Sequence, residues 1–145
     1  MSAVRRVPAS ADLLDGAQYA VAFQLRTPIR ATPEQWARAV FEGAPSGFRA
    51  VLRLGWRFAL GLRLGPRGAA GYVEGWTITD NSPTAIVLAA DSRLLAARNV
   101  FAVDGDTATW TTLVRYDNPL ARVLWGLAAP VHQLTARPLF ARALR

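Results

Sequence analysis

Residues 17–29 alternate, with Tyr19, Val21, Phe23 and Leu25 on one side and Ala20, Ala22, Gln24 and Arg26 on the other. That period of two predicts a half-buried first strand. Thr32, Pro33 and Glu34 supply an N-cap, a first-turn proline and an acid favoured by the helix dipole. A short helix is expected to start there, bury Trp36, Val40 and Phe41, and end at Gly43 and Pro45. A second helix is expected over about residues 46–64. Its apolar face is Phe48, Val51, Leu52, Trp56, Ala59 and Leu60, and Arg49, Arg53 and Arg57 form a cationic stripe. Gly55 and Gly61 each weaken it by about 1 kcal/mol relative to alanine, so a break near Gly55 is expected.

Gly65, Pro66, Gly68 and Gly71 form a loop into a run of strands, placed at about residues 72–80, 85–91, 94–104 and 107–117. Asn81-Ser82-Pro83 marks one turn. Asp104-Gly105 marks a stronger one, read as a type I′ hairpin because that turn needs positive φ. After Asn118-Pro119, the residues Leu120, Leu124, Leu127, Val131 and Leu134 recur at helical steps. They predict a long C-terminal helix laid across the sheet by that stripe, with a kink or restart at Pro130 and Pro138 and a separate last turn through Phe140 and Leu144.

The order of elements predicts a single α+β domain over residues 1–145. Its curved antiparallel sheet of about five to seven strands wraps around a long C-terminal helix, with a short helix pair after the first strand. This layout resembles the helix-grip fold of the START, Bet v 1 and polyketide-cyclase superfamily, SRPBCC. The stretches Thr-Pro-Glu-Gln-Trp-Ala-Arg-Ala-Val-Phe at 32–41 and Ala-Pro-Val-His-Gln-Leu at 129–134 are similar to a small uncharacterised actinobacterial group. The resemblance implies a cavity between sheet and terminal helix that holds a lipid, sterol, polyketide or hormone, and in a few members a cyclase, dehydratase or hydrolase activity. Fold alone does not choose among these. Four strands after the helix pair, where larger members of the superfamily have six, put the cavity's size in question.

Composition narrows the picture. The chain of 145 residues is 52% hydrophobic, yet arginines interrupt each long apolar stretch before the ~20 residues of a bilayer span. Pro8, Ser10, Asp12 and Asp15 fall where a signal peptide needs an apolar core, so a cytoplasmic protein is expected. There is no cysteine, so no disulfide or thiolate chemistry is available. All 17 basic residues are arginine. No acid lies between Glu42 and Glu74, where Arg49, Arg53, Arg57, Arg63 and Arg67 sit, and none follows Asp117. The net charge of +7 therefore concentrates on the second helix and the C-terminal helix, where it can meet an anionic surface or remain a solvated face. Phosphate loops, nucleophile elbows and clustered metal ligands are absent from the sequence, and so are the interleaved aromatics of a dedicated nucleic-acid site. No cofactor is expected.

The candidate site residues follow from these assignments. Phe23, Trp76, Trp110, Val114 and Tyr116 are expected on the inward face of the sheet as walls for a ring-containing ligand, with Leu127 and Val131 above them from the helix. Core packing is the competing reading for the same residues. Glu74 shares an alternation face with Tyr72, Trp76 and Ile78. If buried it needs an arginine, and Arg98 or Arg115 is expected to reach it; the alternative is an exposed edge position. His132, the lone histidine, falls beside the apolar stripe and is either a general acid or base or a structural residue. The leading expectation is a binder of a small hydrophobic or amphipathic ligand. The alternatives are a cyclase- or dehydratase-type enzyme using His132, and a peripheral module holding anionic membrane through Arg49, Arg53 and Arg57. The apolar surface is equally a candidate homodimer contact.

Overall fold

The computed structural model describes residues 4–10, 12–66 and 69–144, with the side chains of Phe58 and Ala59 excepted. Arg67 and Gly68 of the expected loop, the Ala59 side chain and Arg145 lie outside that description.

The strands are β1 (Val4–Val7), β2 (Tyr19–Arg26), β3 (Tyr72–Val73), β4 (Trp76–Asn81), β5 (Ala85–Asp91), β6 (Leu95–Asp104) and β7 (Thr107–Tyr116). They form one curved, open antiparallel sheet in the order β1-β2-β7-β6-β5-β4-β3. Helices α1 (Pro33–Phe41) and α2 (Ser46–Leu54) follow β2, and α3 (Pro119–Arg142) closes the chain. This is the helix-grip arrangement that the element order predicts.

Alternation gave β2 directly: Val21, Phe23 and Leu25 are buried and Arg26 is exposed. The sequence reading missed β1, because Val-Arg-Arg-Val is too short and too charged for a period of two to register. It adds an edge strand to β2 with Arg6 opposite Phe23. Helix α1 begins at the expected cap. Thr32 Oγ1 accepts from the Gln35 backbone N–H at 3.1 Å, and Gln35 Oε1 accepts from the Thr32 N–H at 2.8 Å, a reciprocal capping box. Trp36, Val40 and Phe41 are buried as expected.

The expected strand at 72–80 is in fact two strands. Glu74 (φ 47°) and Gly75 (φ 91°) form a two-residue turn between Val73 and Trp76, with positive φ at both positions as a type I′ hairpin requires. At the β6–β7 hairpin the central residues are Gly105 and Asp106, one step later than expected. Only Gly105 has positive φ (59°), the pattern of a type II′ turn.

The second helix is shorter than expected. Regular α-geometry stops at Leu54, a π-helical turn covers Gly55–Ala59, and Leu60 leaves the helix. The break falls at Gly55, where a missing side chain lowers the cost of leaving the helix. Helix α3 runs from Pro119 to Arg142 without the expected restart. Pro130 and Pro138 are both exposed, as are Gly126 and Leu134, whose carbonyls lose their intrahelical donors. Water can satisfy those carbonyls, so the prolines are tolerated.

The face that α3 turns to the sheet is the main correction to the sequence reading. Leu127 is 72% exposed, Leu134 77% and Val131 60%, and Leu120 also faces outward. The buried face is Ala121, Trp125, Ala136, Leu139 and Phe140, with Ala128 and His132 partly buried between them. The buried row is offset by one residue, about 100°, from the leucine stripe. Small alanines let the helix approach the sheet while Trp125 and Phe140 fill the remaining space. Phe140 meets Trp36 edge to face at 5.7 Å between ring centres. A smaller apolar cluster of Leu14, Ala96 and Leu113 covers part of the opposite face of the sheet.

Candidate functional site

Between α2, α3 and the sheet lies a cavity of about 280 Å³. Strands β4, β6 and β7 floor it with Trp76, Ala97, Asn99, Trp110, Thr112 and Val114. Helix α3 covers it with Trp125, Ala128, Val131, His132, Thr135 and Leu139, and the α2 segment closes the side with Phe48, Val51, Leu52 and Trp56. The exposed members of its lining are Val51, at 64%, and Val131, at 60%, one from each of the two helices. Four of the five tryptophans line this space, and Phe41, also on its wall, lies parallel to Trp76 with ring centres 6.5 Å apart.

Asn99, Trp110, Thr112 and His132 of the cavity lining belong to one chain of hydrogen bonds whose donors can be assigned without ambiguity. Trp110 Nε1 can only donate, and it lies 2.9 Å from Asn99 Oδ1, which fixes the orientation of that amide. Thr112 Oγ1 donates to the same oxygen at 2.8 Å, which uses its single proton. His132 Nε2, 3.0 Å from Thr112 Oγ1, must therefore be the donor in that contact. That leaves Nδ1 as acceptor for the Tyr19 hydroxyl at 3.3 Å, and Gln133 Nε2 donates to the Tyr19 oxygen at 3.2 Å. Strands β2, β6 and β7 are thus tied to α3 through one neutral imidazole.

Desolvation drives the His132 pKa down from 6.5 to about 4. The residue keeps some surface exposure, but its ring lies against Tyr19, Trp110 and Trp125. Burial also raises the Tyr19 pKa, against the lowering effect of the Gln133 hydrogen bond, so its hydroxyl keeps the proton it donates. A histidine with both nitrogens engaged and such weak basicity is poorly placed to take a proton from a substrate near neutral pH. The geometry favours the structural reading of His132 over the catalytic one.

The structure brings together Trp76, Trp110, Val114, Val131 and His132 among the residues singled out from the sequence. The others lie elsewhere. Phe23 is buried in the core beside the cavity, at 1% exposure. Tyr116 stacks under the Arg122 guanidinium, 5.2 Å from the ring centre, and Leu127 faces outward. Glu74 is buried, as one reading required, but at the β3–β4 turn and not in the cavity. Its partner is Arg53, with Nε 3.3 Å from Oε1 in an ion pair that lacks hydrogen-bond geometry. Neither arginine expected at Glu74 reaches it: Arg98 pairs with Asp91 at 2.7 Å and Arg115 with Asp117 at 2.8 Å. The expected cationic stripe is consequently divided. Arg53 is drawn to Glu74, Arg49 is half-buried, and Arg57 is exposed.

Asn99, Thr112, Thr135 and Trp125 were missed. Alternation could have found the first two, because Asn99 and Thr112 sit directly across from each other on adjacent strands with Ala97, Phe101, Trp110 and Val114 as same-face neighbours. Among the described residues no group of His, Asp or Glu could hold a metal, and no helix is long and apolar enough to cross a membrane.

No curated protein matches the chain. A solved structure of a protein of unknown function, PA94 from Pseudomonas aeruginosa, is similar at 20% identity, covering 89% of this chain and 79% of its own, with a TM-score of 0.25. A family match extends over residues 13–139, from the loop before β2 to the penultimate turn of α3, so the chain belongs to the family described as protein of unknown function (DUF2867).

Proposed function

We propose that the protein binds a small hydrophobic or amphipathic molecule in the cavity between α3 and the sheet. The observation that carries this is the space itself: about 280 Å³ walled by Trp56, Trp76, Trp110 and Trp125, with a short polar chain at one side. Ligand sites are mostly apolar concavities of about 300–1,000 Å³ with a few fixed polar groups, and this one falls just below that range. Burial of apolar ligand surface, worth about 25 cal/mol per Å², would drive binding. The test is native mass spectrometry and solvent extraction of the purified protein, with tryptophan fluorescence as the solution reporter. A co-purifying apolar molecule lost in a folded Ala97→Phe variant is the expected result. Wild-type protein that takes up no apolar compound would reject the proposal.

A second reading draws on the mouth of the cavity. Val51 of α2 and Val131 of α3 are exposed on the cavity wall, Leu54, Leu127 and Leu134 are exposed apolar residues of the same two helices, and Arg122 and Arg137 of α3 and Arg57, just after α2, are exposed as well. That combination suits an anionic lipid surface from which an apolar guest could enter. Co-sedimentation with phosphatidylglycerol vesicles that weakens with salt, and is absent with phosphatidylcholine, is expected. Self-association without vesicle binding would instead assign the rim to a second copy of the chain.

A further inference from the structure

Of the three helices, α2 is the one least attached to the body of the protein. Helix α1 buries Trp36, Val40 and Phe41, and α3 buries Trp125, Leu139 and Phe140, but α2 buries none of its residues. Helix α1 lies along β5 and β6 and α3 along β1, β2 and β7, whereas the backbone that α2 approaches most is the turn that continues it. Thr32 and Asn118 cap the other two helices with side-chain oxygens, and Pro45 gives α2 no such bond. Among the described residues its side chains make a single polar tie to the body, the Arg53–Glu74 ion pair. Yet α2 supplies Phe48, Val51 and Leu52 to the cavity wall, so the element closing one side of the cavity is the one held least. Few buried contacts and weak ends let an element open locally at low cost.

Both ends of α2 are built to pivot. Gly43 and Pro45 precede it, and at Gly55 it passes into a π-helical turn, a widened form that occurs mostly as isolated turns and often at functional sites. The ion pair is costly to build. Glu74 holds left-handed backbone (φ 47°) at a turn position where glycine is unstrained, and its side chain is only 4% exposed. Strain and burial of this kind persist where the surroundings secure them, and here they secure a partner for Arg53. We infer that α2 is a lid over the cavity, latched to the β3–β4 turn by Arg53 and Glu74, that pivots before Ser46 and at Gly55 to admit and release the guest. The inference rests on the ligand-binding reading above and adds the route of entry. Helix α3 is the poorer door, because its buried face and the His132 hydrogen bonds hold it to β2 and β7.

Amide hydrogen exchange and stopped-flow binding of N-phenyl-1-naphthylamine, an uncharged apolar fluorophore, test this. In the wild type, exchange over α2 should be faster than over α1 and α3, and the dye should slow it. Gly55→Ala adds a Cβ that meets nothing within 4 Å, at a residue with helical φ and ψ, so the closed form accepts it while the pivot stiffens. It should slow dye entry and release together by roughly fivefold. Glu74→Gln removes the charge of the latch and should speed both by about two- to fivefold. Affinity should stay nearly constant in each variant, since a lid sets the route and not the walls. Unchanged rates in the folded variants, or α2 exchange as slow as that of α1, overturns the lid and leaves ligand binding intact. Folded wild-type protein that takes up no dye overturns both.

Discussion

Acidification should destabilise this protein through His132 before its carboxylates contribute. In the folded state burial holds the imidazole pKa at about 4, against 6.5 when it is free in the unfolded chain. Between those values the unfolded state binds the extra proton and the native state does not, so stability rises with pH across the window. The stabilising contribution is therefore complete above pH 6.5 and is lost progressively as pH falls towards 4. A difference of that size corresponds to about 3 kcal/mol at ~1.4 kcal/mol per pH unit. The loss has a structural counterpart, because a second ring proton would turn Nδ1 into a donor facing a Tyr19 oxygen that already accepts from Gln133. Urea midpoints measured from pH 7.5 to 4.5 should fall steeply in the wild type and much less in His132→Gln, which cannot titrate. Glu34 and Asp117, whose pKa values are lowered chiefly by their hydrogen bonds to Arg38 and Arg115, act at lower pH and are common to both proteins. Parallel pH profiles for the two proteins would refute the argument and mean that the ring is hydrated.

Four further substitutions test the fold. Trp36→Ala removes a buried ring wedged against Phe140 and should cost about 3–5 kcal/mol in a denaturant titration, whereas Leu127→Ala should change stability by less than about 0.5 kcal/mol because its side chain faces outward. Thr32→Ala deletes the capping box and should lower stability by about 0.5–2 kcal/mol, visible as a lower Tm. Gly75→Ala forces a side chain into positive φ with its Cβ 3.0 Å from Leu64 Cβ, and should destabilise by more than about 1 kcal/mol; an unchanged Tm would contradict the assigned turn.

The sequence by itself determined the elements whose signals are local. Thr32-Pro33-Glu34 starts a helix wherever it lies because the cap bonds close within four residues, and the alternation from Tyr19 to Leu25 marks a strand because side chains on a pleated chain point to opposite faces by geometry alone. The strands β5, β6 and β7, the helix pair and the C-terminal helix were legible for the same reason. The rotation of α3 was not. Its residues are apolar on two adjacent sides, so hydropathy offered a leucine stripe and an alanine-aromatic stripe one residue apart. The choice between them was made by shape: Ala121, Ala128 and Ala136 permit the close approach that leucines would prevent, and Trp125 and Phe140 fill what is left. The partner of Glu74 and the polar chain from Asn99 to Gln133 likewise join residues 21 and 34 positions apart. No local pattern encodes such pairings, because they exist only once α2 has met the β3–β4 turn and strands β2, β6 and β7 have met α3.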